Sequence, residues 1–226
     1  IKNFFRTEKL ERVELKKQGP MQLYRLDRPL DVTTNPNRLE QGGFLATKYL
    51  GLVHEIREKR AALFKGWAFE KIEVRDGSLG TGEAIAFYAI TFARESRIRV
   101  NEDLLIKTAF LINVGKASIP KKVLNNSASP ENEKRLVKNL HQYSIQLIAK
   151  FPQLKECGQI IAMFKNEIDD IKLPEAQFLK IANTFEGIAF SKFYKKTSAN
   201  FRQAVNIFRN AFPHPLYKQF ADLISK

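Results

Sequence analysis

His54, His141 and His214 are the three histidines of the chain, so any site built on imidazole chemistry must draw on them. A hydrolytic metal centre needs several imidazole and carboxylate groups converging on one point. His54 lies beside Glu55 and Glu58 in a helical pattern and reads as an exposed helix residue. His214 stands between Pro213 and Pro215, which marks a turn. His141 has no acid at metal-binding spacing on its own helix. Asp169-Asp170 is a carboxylate pair, but adjacent helical side chains diverge by about 100° and do not readily share a ligand. Cys157, the single cysteine, excludes an intrachain disulfide and reads as a packed thiol in a reducing, intracellular setting.

Two places could address an anion. The stretch Gly77-Ser78-Leu79-Gly80-Thr81-Gly82 has the glycines of a phosphate-cradling loop but lacks its lysine and a secure strand–loop–helix context. Lys116, after Gly115, could present an ammonium at a helix end; the bland alternative is a helix C-terminal lysine favoured by the dipole. Lys192, Tyr194 and Lys195 form the nearest approach to a basic–aromatic patch, with a solvated turn as its ordinary reading. The formal charge is +14, and residues 171–226 carry 9 Lys/Arg against 3 Asp/Glu. Nevertheless the excess is spread along the chain, with no basic run, Cys/His finger or RNA-binding signature, so nucleic acid is disfavoured as a partner.

The elements that would position these residues are mostly helical. Residues 1–40 hold turn chemistry at Gly19-Pro20, Arg28-Pro29 and Thr33-Thr34-Asn35-Pro36-Asn37, and are read as irregular apart from a short strand over Met21–Leu26. A helix is expected from about Phe44 to Phe64, an extended segment over Phe69–Val74, and a flexible link over Arg75–Gly82. After Glu83 every segment reads as helix: Asn101 caps one over 101–112, Ser129-Pro130 opens another, and others run near 154–168, 174–189, 198–210 and 214–225. The predicted fold is therefore all-α, a helical bundle over residues 79–226 behind a small α+β or irregular N-terminal segment, residues 1–78. The apolar run Ala84–Ala93 is about half the ~20 residues a membrane span requires. Together with the lack of a signal-peptide pattern, this leads to an expected cytoplasmic location.

The order of segments then becomes informative. Phe110-Leu111-Ile112-Asn113-Val114-Gly115-Lys116-Ala117-Ser118-Ile119-Pro120 resembles the leucine-histidine-aspartate-x-glycine-lysine-x-x-isoleucine-proline signature of the HD-GYP family. Val123-Leu124, the helix bearing His141, the segment Lys180–Ile188 and Lys192–Lys195 resemble its later stations, so the likeness spans roughly residues 80–226. It implies an HD-superfamily helical bundle whose relatives are metal-dependent phosphodiesterases of cyclic di-GMP.

The resemblance also implies where the metal ligands would fall. The opening histidine lands at about Thr81, the histidine-aspartate pair on Ile112 and Asn113, and the next histidine on His141. The histidine-histidine-glutamate cluster lands on Phe164, Lys165 and Asn166, and the later aspartate on Asn183. His141 alone keeps its family identity, and the glycine-tyrosine-proline loop is replaced by Ile171-Lys172-Leu173-Pro174. Isoleucine and phenylalanine offer no lone pair, so a two-metal centre with its hydroxide nucleophile is not expected. The expectation is a pseudoenzyme with no metal and no cofactor, which serves as a regulatory or scaffold module for a protein partner in bacterial signalling. A non-hydrolysing cyclic di-GMP receptor is the alternative, with Lys116, Lys192, Tyr194 and Lys195 as candidate phosphate contacts. A third reading, an enzyme with an unconventional metal site around His141 and Asp169, ranks below both.

Overall fold

The computed structural model describes residues 5–15, 19–29, 48–65, 69–73, 77–124, 131–189 and 201–225. At the N-terminus strands β1 (Phe5–Leu15) and β2 (Gly19–Pro29) form an antiparallel hairpin in which Phe5 pairs with Pro29 and Leu15 with Gly19. The expected strand Met21–Leu26 lies inside β2. The irregular reading of the rest is corrected by β1, whose six charged residues mask the alternation that announces a strand. Register shifts between Arg6 and Thr7 and between Lys9 and Arg12 break its period further.

From Leu50 onward the described elements are all helical, as expected for the segments after Glu83. They are α1 (Leu50–Leu63), α2 (Phe69–Glu73), α3 (Thr81–Glu95), α4 (Glu102–Leu111), α5 (Lys121–Leu124), α6 (Glu131–Lys138), α7 (Leu140–Ile148), α8 (Lys155–Ala162), α9 (Pro174–Ala189), α10 (Phe201–Ala211) and α11 (Pro215–Ile224). The extended reading of Phe69–Val74 is corrected, since Phe69–Glu73 is a helical turn. A tertiary contact overrides local preference there: both carboxylate oxygens of Glu73 are engaged by the start of α3. The caps expected at Ser129-Pro130 and Ser198 lie outside the described residues.

Helix α3 is the axis of the bundle. It is apolar around most of its circumference, and every residue from Thr81 to Ala93 is buried, as a helix enclosed on all sides must be. Helices α4 and α9 pack along it, and α1 crosses α3 and α4 from the N-terminal side of residue 78. Phenylalanines fill the centre: Tyr88 and Phe185 meet at 5.3 Å, Phe92 and Phe178 at 5.0 Å, and Phe92 and Phe220 at 5.2 Å, all edge-on. Such pairs contribute about 0.5–1.5 kcal/mol each beyond their buried area. Gly82 lets α4 come close, because a Cβ there would lie 2.5 Å from Phe110 Cδ1.

The two ends of the α3–α4 pair are fixed by local chemistry. Asn101 caps α4 through an oxygen that accepts from Leu104 N at 3.1 Å, as its position before two acids predicts. At the end of α3, Arg97 N–H donates to Arg94 O and Ile98 N–H to Ala93 O, both at 3.1 Å, which is a Schellman closure. Its left-handed residue is Arg97, with φ 55°, where glycine is the residue without a Cβ penalty. Arg97→Gly is therefore expected to raise unfolding stability by about 1 kcal/mol in urea titration, whereas a loss of that size would show that the arginine side chain contributes there.

Candidate functional site

The glycines and lysine singled out by the sequence meet in one buried polar node. Past α4 the chain turns through a 3-10 segment, Val114–Ser118, laid against the start of α7. Gly115 N donates to Ser144 Oγ at 2.9 Å, and that hydroxyl donates to Ile112 O at 2.7 Å. A Cβ on Gly115 would lie 2.7 Å from Ser144 N and closer still to Leu140 O, so backbone contact explains the glycine. The next residue, Lys116, is 2% exposed and its ammonium donates to Ser78 Oγ at 2.7 Å. It therefore faces the interior rather than a solvent-borne phosphate.

Residues 77–82, expected as part of a flexible link, form instead a buried turn with positive φ at Gly77 (75°) and Gly80 (82°), which glycine tolerates. Glu73 accepts from Gly80 N at 2.7 Å and from Gly82 N at 2.8 Å, so one carboxylate satisfies two amide donors at the beginning of α3. Thr81 Oγ1 lies 2.6 Å from Ser78 O and 2.8 Å from Glu186 Oε1, which joins the turn to α9. Ser78 Oγ in turn donates to Glu73 O at 3.2 Å. All five side chains, Glu73, Ser78, Thr81, Lys116 and Glu186, are buried. Four segments of the chain are thus tied together by groups that water would otherwise solvate.

The positions that the resemblance marks as former ligands divide into three kinds. Thr81 belongs to the node. Ile112 and Phe164 are core residues, 0% and 8% exposed, and burying side chains of that size contributes about 1.5–3 kcal/mol each. His141 packs edge-on against Phe164 with ring centroids 5.5 Å apart. Burial pushes its pKa below the ordinary 6.5, so the folded imidazole is neutral near pH 7. Asn113 is buried, Lys165 is exposed, and Asn166 and Asn183 are half-buried. The Asn166 carbonyl accepts from the Lys180 ammonium. Lys192, Tyr194 and Lys195 lie outside the described residues. Among the described residues no three His, Cys, Asp or Glu side chains are grouped to hold a metal ion.

Some groups now prominent were not singled out from the sequence. Glu186 follows Phe178, Ala182 and Phe185 on the buried stripe of α9, and a carboxylate on an apolar stripe is the signal that could have found it. Glu73 carried no such signal, since its partners are backbone amides. His214, read as a turn residue, does more: its Nδ1 accepts from Leu216 N at 3.2 Å to cap α11, and its Nε2 lies 2.8 Å from Asp169 Oδ1. Asp169 therefore pairs with His214. No helix among the described residues is long and apolar enough to cross a membrane. Searches for relatives find no protein-family model that matches the chain and no curated protein that matches it.

The half-buried His141 gives a pH signature with a definite sign. The unfolded chain carries His141 at its ordinary pKa of 6.5 and binds a proton before the folded chain does. The resulting stability is present above that pH and is lost as pH falls toward the depressed folded value. Urea titrations between about pH 7.5 and pH 5 should show wild-type stability dropping more than that of His141→Gln. Parallel curves for the two proteins would mean that the ring takes up its proton as freely inside as outside.

Proposed function

We propose that this chain is a catalytically inactive, HD-GYP-like regulatory or scaffold protein of bacterial signalling, acting through protein–protein contacts in the cytoplasm. In this reading residues 1–78 serve as the adaptor and residues 79–226 as the degenerate helical domain. The observation that carries the proposal is the identity and burial of the side chains at the former ligand positions. Ile112 and Phe164 are packed into the core and can donate no electron pair, and His141 meets the Phe164 ring edge-on. A binuclear hydrolytic centre requires several anionic or imidazole ligands to hold two dications and lower the pKa of a bridging water. The residues present do not fit such a centre.

The nearby polarity is committed elsewhere. Lys116 brings a positive charge into the interior beside Ser78, and Thr81 is engaged by Ser78 and Glu186. What remains of the family pattern, Gly115 with Lys116, is accounted for by close packing and by the internal network, which supports a retained architecture with a lost reaction. The basic character of the chain, +14 overall, favours a partner with an acidic face.

Elemental analysis of protein dialysed against manganese and iron, combined with calorimetry against cyclic di-GMP, tests the proposal. The expected result is less than one metal per chain and no heat of dinucleotide binding. Two retained metals with turnover of the dinucleotide would overturn it in favour of an enzyme. Binding heat without turnover would replace the scaffold by a receptor.

A further inference from the structure

We propose that α1 is a releasable strap, a helix that undocks from α3 and α4 while the rest of the bundle stays folded. The seam it makes is unusual in its composition. Its buried apolar contribution comes from Leu52 and Ile56, followed by Phe64 just past the helix end, where the ring meets Phe110 at 6.5 Å. Tyr49, Val53 and Leu63 add half-buried apolar contact, and the remaining links across the seam are polar or ionic. Lys48 pairs with Glu95, and Tyr49 Oη donates to Glu95 at 2.6 Å. Arg57 lies 3.2 Å from Glu83, Lys59 2.8 Å from Asp103, and Glu55 3.7 Å from Arg94.

Several of these partners remain in contact with water: Lys59 is 35% exposed, Asp103 54% and Glu55 40%. Attraction between such groups is weak and is screened within a Debye length of about 10 Å at ordinary salt, shrinking to about 3 Å at 1 M. Strap and bundle are thus held partly by a force that the solvent controls. Helix α3 offers the opposite case, since its buried stretch Thr81–Ala93 is held by packing that salt does not screen.

The strap also has little helical stability of its own. No side chain caps its N-terminus, its first turn carries no acid, and a 14-residue helix is marginal in water when unsupported. Undocking and unwinding are therefore one event, local in the sense that α3, α4 and α9 keep their mutual contacts. Release would uncover Phe110, which Arg60 and Phe64 cover in the docked state. The strap lies directly upstream of Glu73 and the buried turn, so this motion ends at the clamped node. The inference does not depend on the loss of catalysis and stands on the seam alone.

Hydrogen exchange of the intact chain, read by mass spectrometry, tests it. Amides of residues 52–63 are expected to exchange at least about tenfold faster than those of residues 84–93 at roughly 50 mM salt. At about 1 M salt the strap should accelerate several-fold more while residues 84–93 stay unchanged as the internal reference. Lys59→Ala, which removes the pair with Asp103 and the exposed intrahelical pair with Glu55 while alanine favours helix by propensity, should reproduce part of that acceleration at low salt. Equal protection of the two segments, or a strap indifferent to both salt and Lys59→Ala, would overturn the proposal.

Discussion

A lysine ammonium taken out of water must be solvated by the protein or it will not stay charged. Lys116 sits at that constraint, 2% exposed with Ser78 Oγ at 2.7 Å. Among the described residues the buried carboxylates are Glu73, Glu83, Glu175 and Glu186. The turn after Glu73, the start of α3, the loop carrying Lys116 and the last turn of α9, through Glu186, are joined in one buried polar node. Because each hydrogen bond in it replaces one to water, its members are interdependent, and loss of any one leaves another exposed to an apolar surrounding. The bundle around it is ordinary by comparison, an edge-on array of aromatic rings along α3.

The contrast between these two interiors bears on function. A hydrophobic centre can be rebuilt in many ways, since volume and pattern are what it must conserve. A polar centre is restricted, because its donors and acceptors must match one for one. Here Ile112 and Phe164 are buried in the core, while Thr81 and Lys116 turn toward the chain's own backbone and side chains. It is on these contacts that the proposed reading, a module that recognises rather than cleaves, rests.

How much of this was legible depended on whether a feature was local. Helices α3, α4, α9 and α11 were readable to within a few residues, because caps such as Asn101 and Pro174 and continuous apolar periodicity are written in adjacent positions. Strand β1 was not, since charged residues occupy both of its alternating sets. The helical turn Phe69–Glu73 and the ordered turn at Ser78 were misread for a related reason: they are tied to amides at the start of α3, beyond the glycine-rich turn, and to Lys116, far along the chain, rather than to their immediate neighbours. At the site, Gly115 and Lys116 were flagged by type but given the wrong direction. A sequence shows that a lysine follows a glycine; only the packing of α7 against that glycine shows which way the ammonium must go.

The central claim is that the buried polar groups of the chain satisfy one another, with Lys116 held in the interior by Ser78. The most direct measurement is the unfolding free energy of Lys116→Met, Ser78→Ala and the double variant, each compared with wild type. Losing the bond from Lys116 to Ser78 inside the bundle should cost about 1–3 kcal/mol, and the double variant should lose less than the sum of the two single losses. A Lys116→Met protein as stable as wild type, or single losses that add in full, would contradict the account.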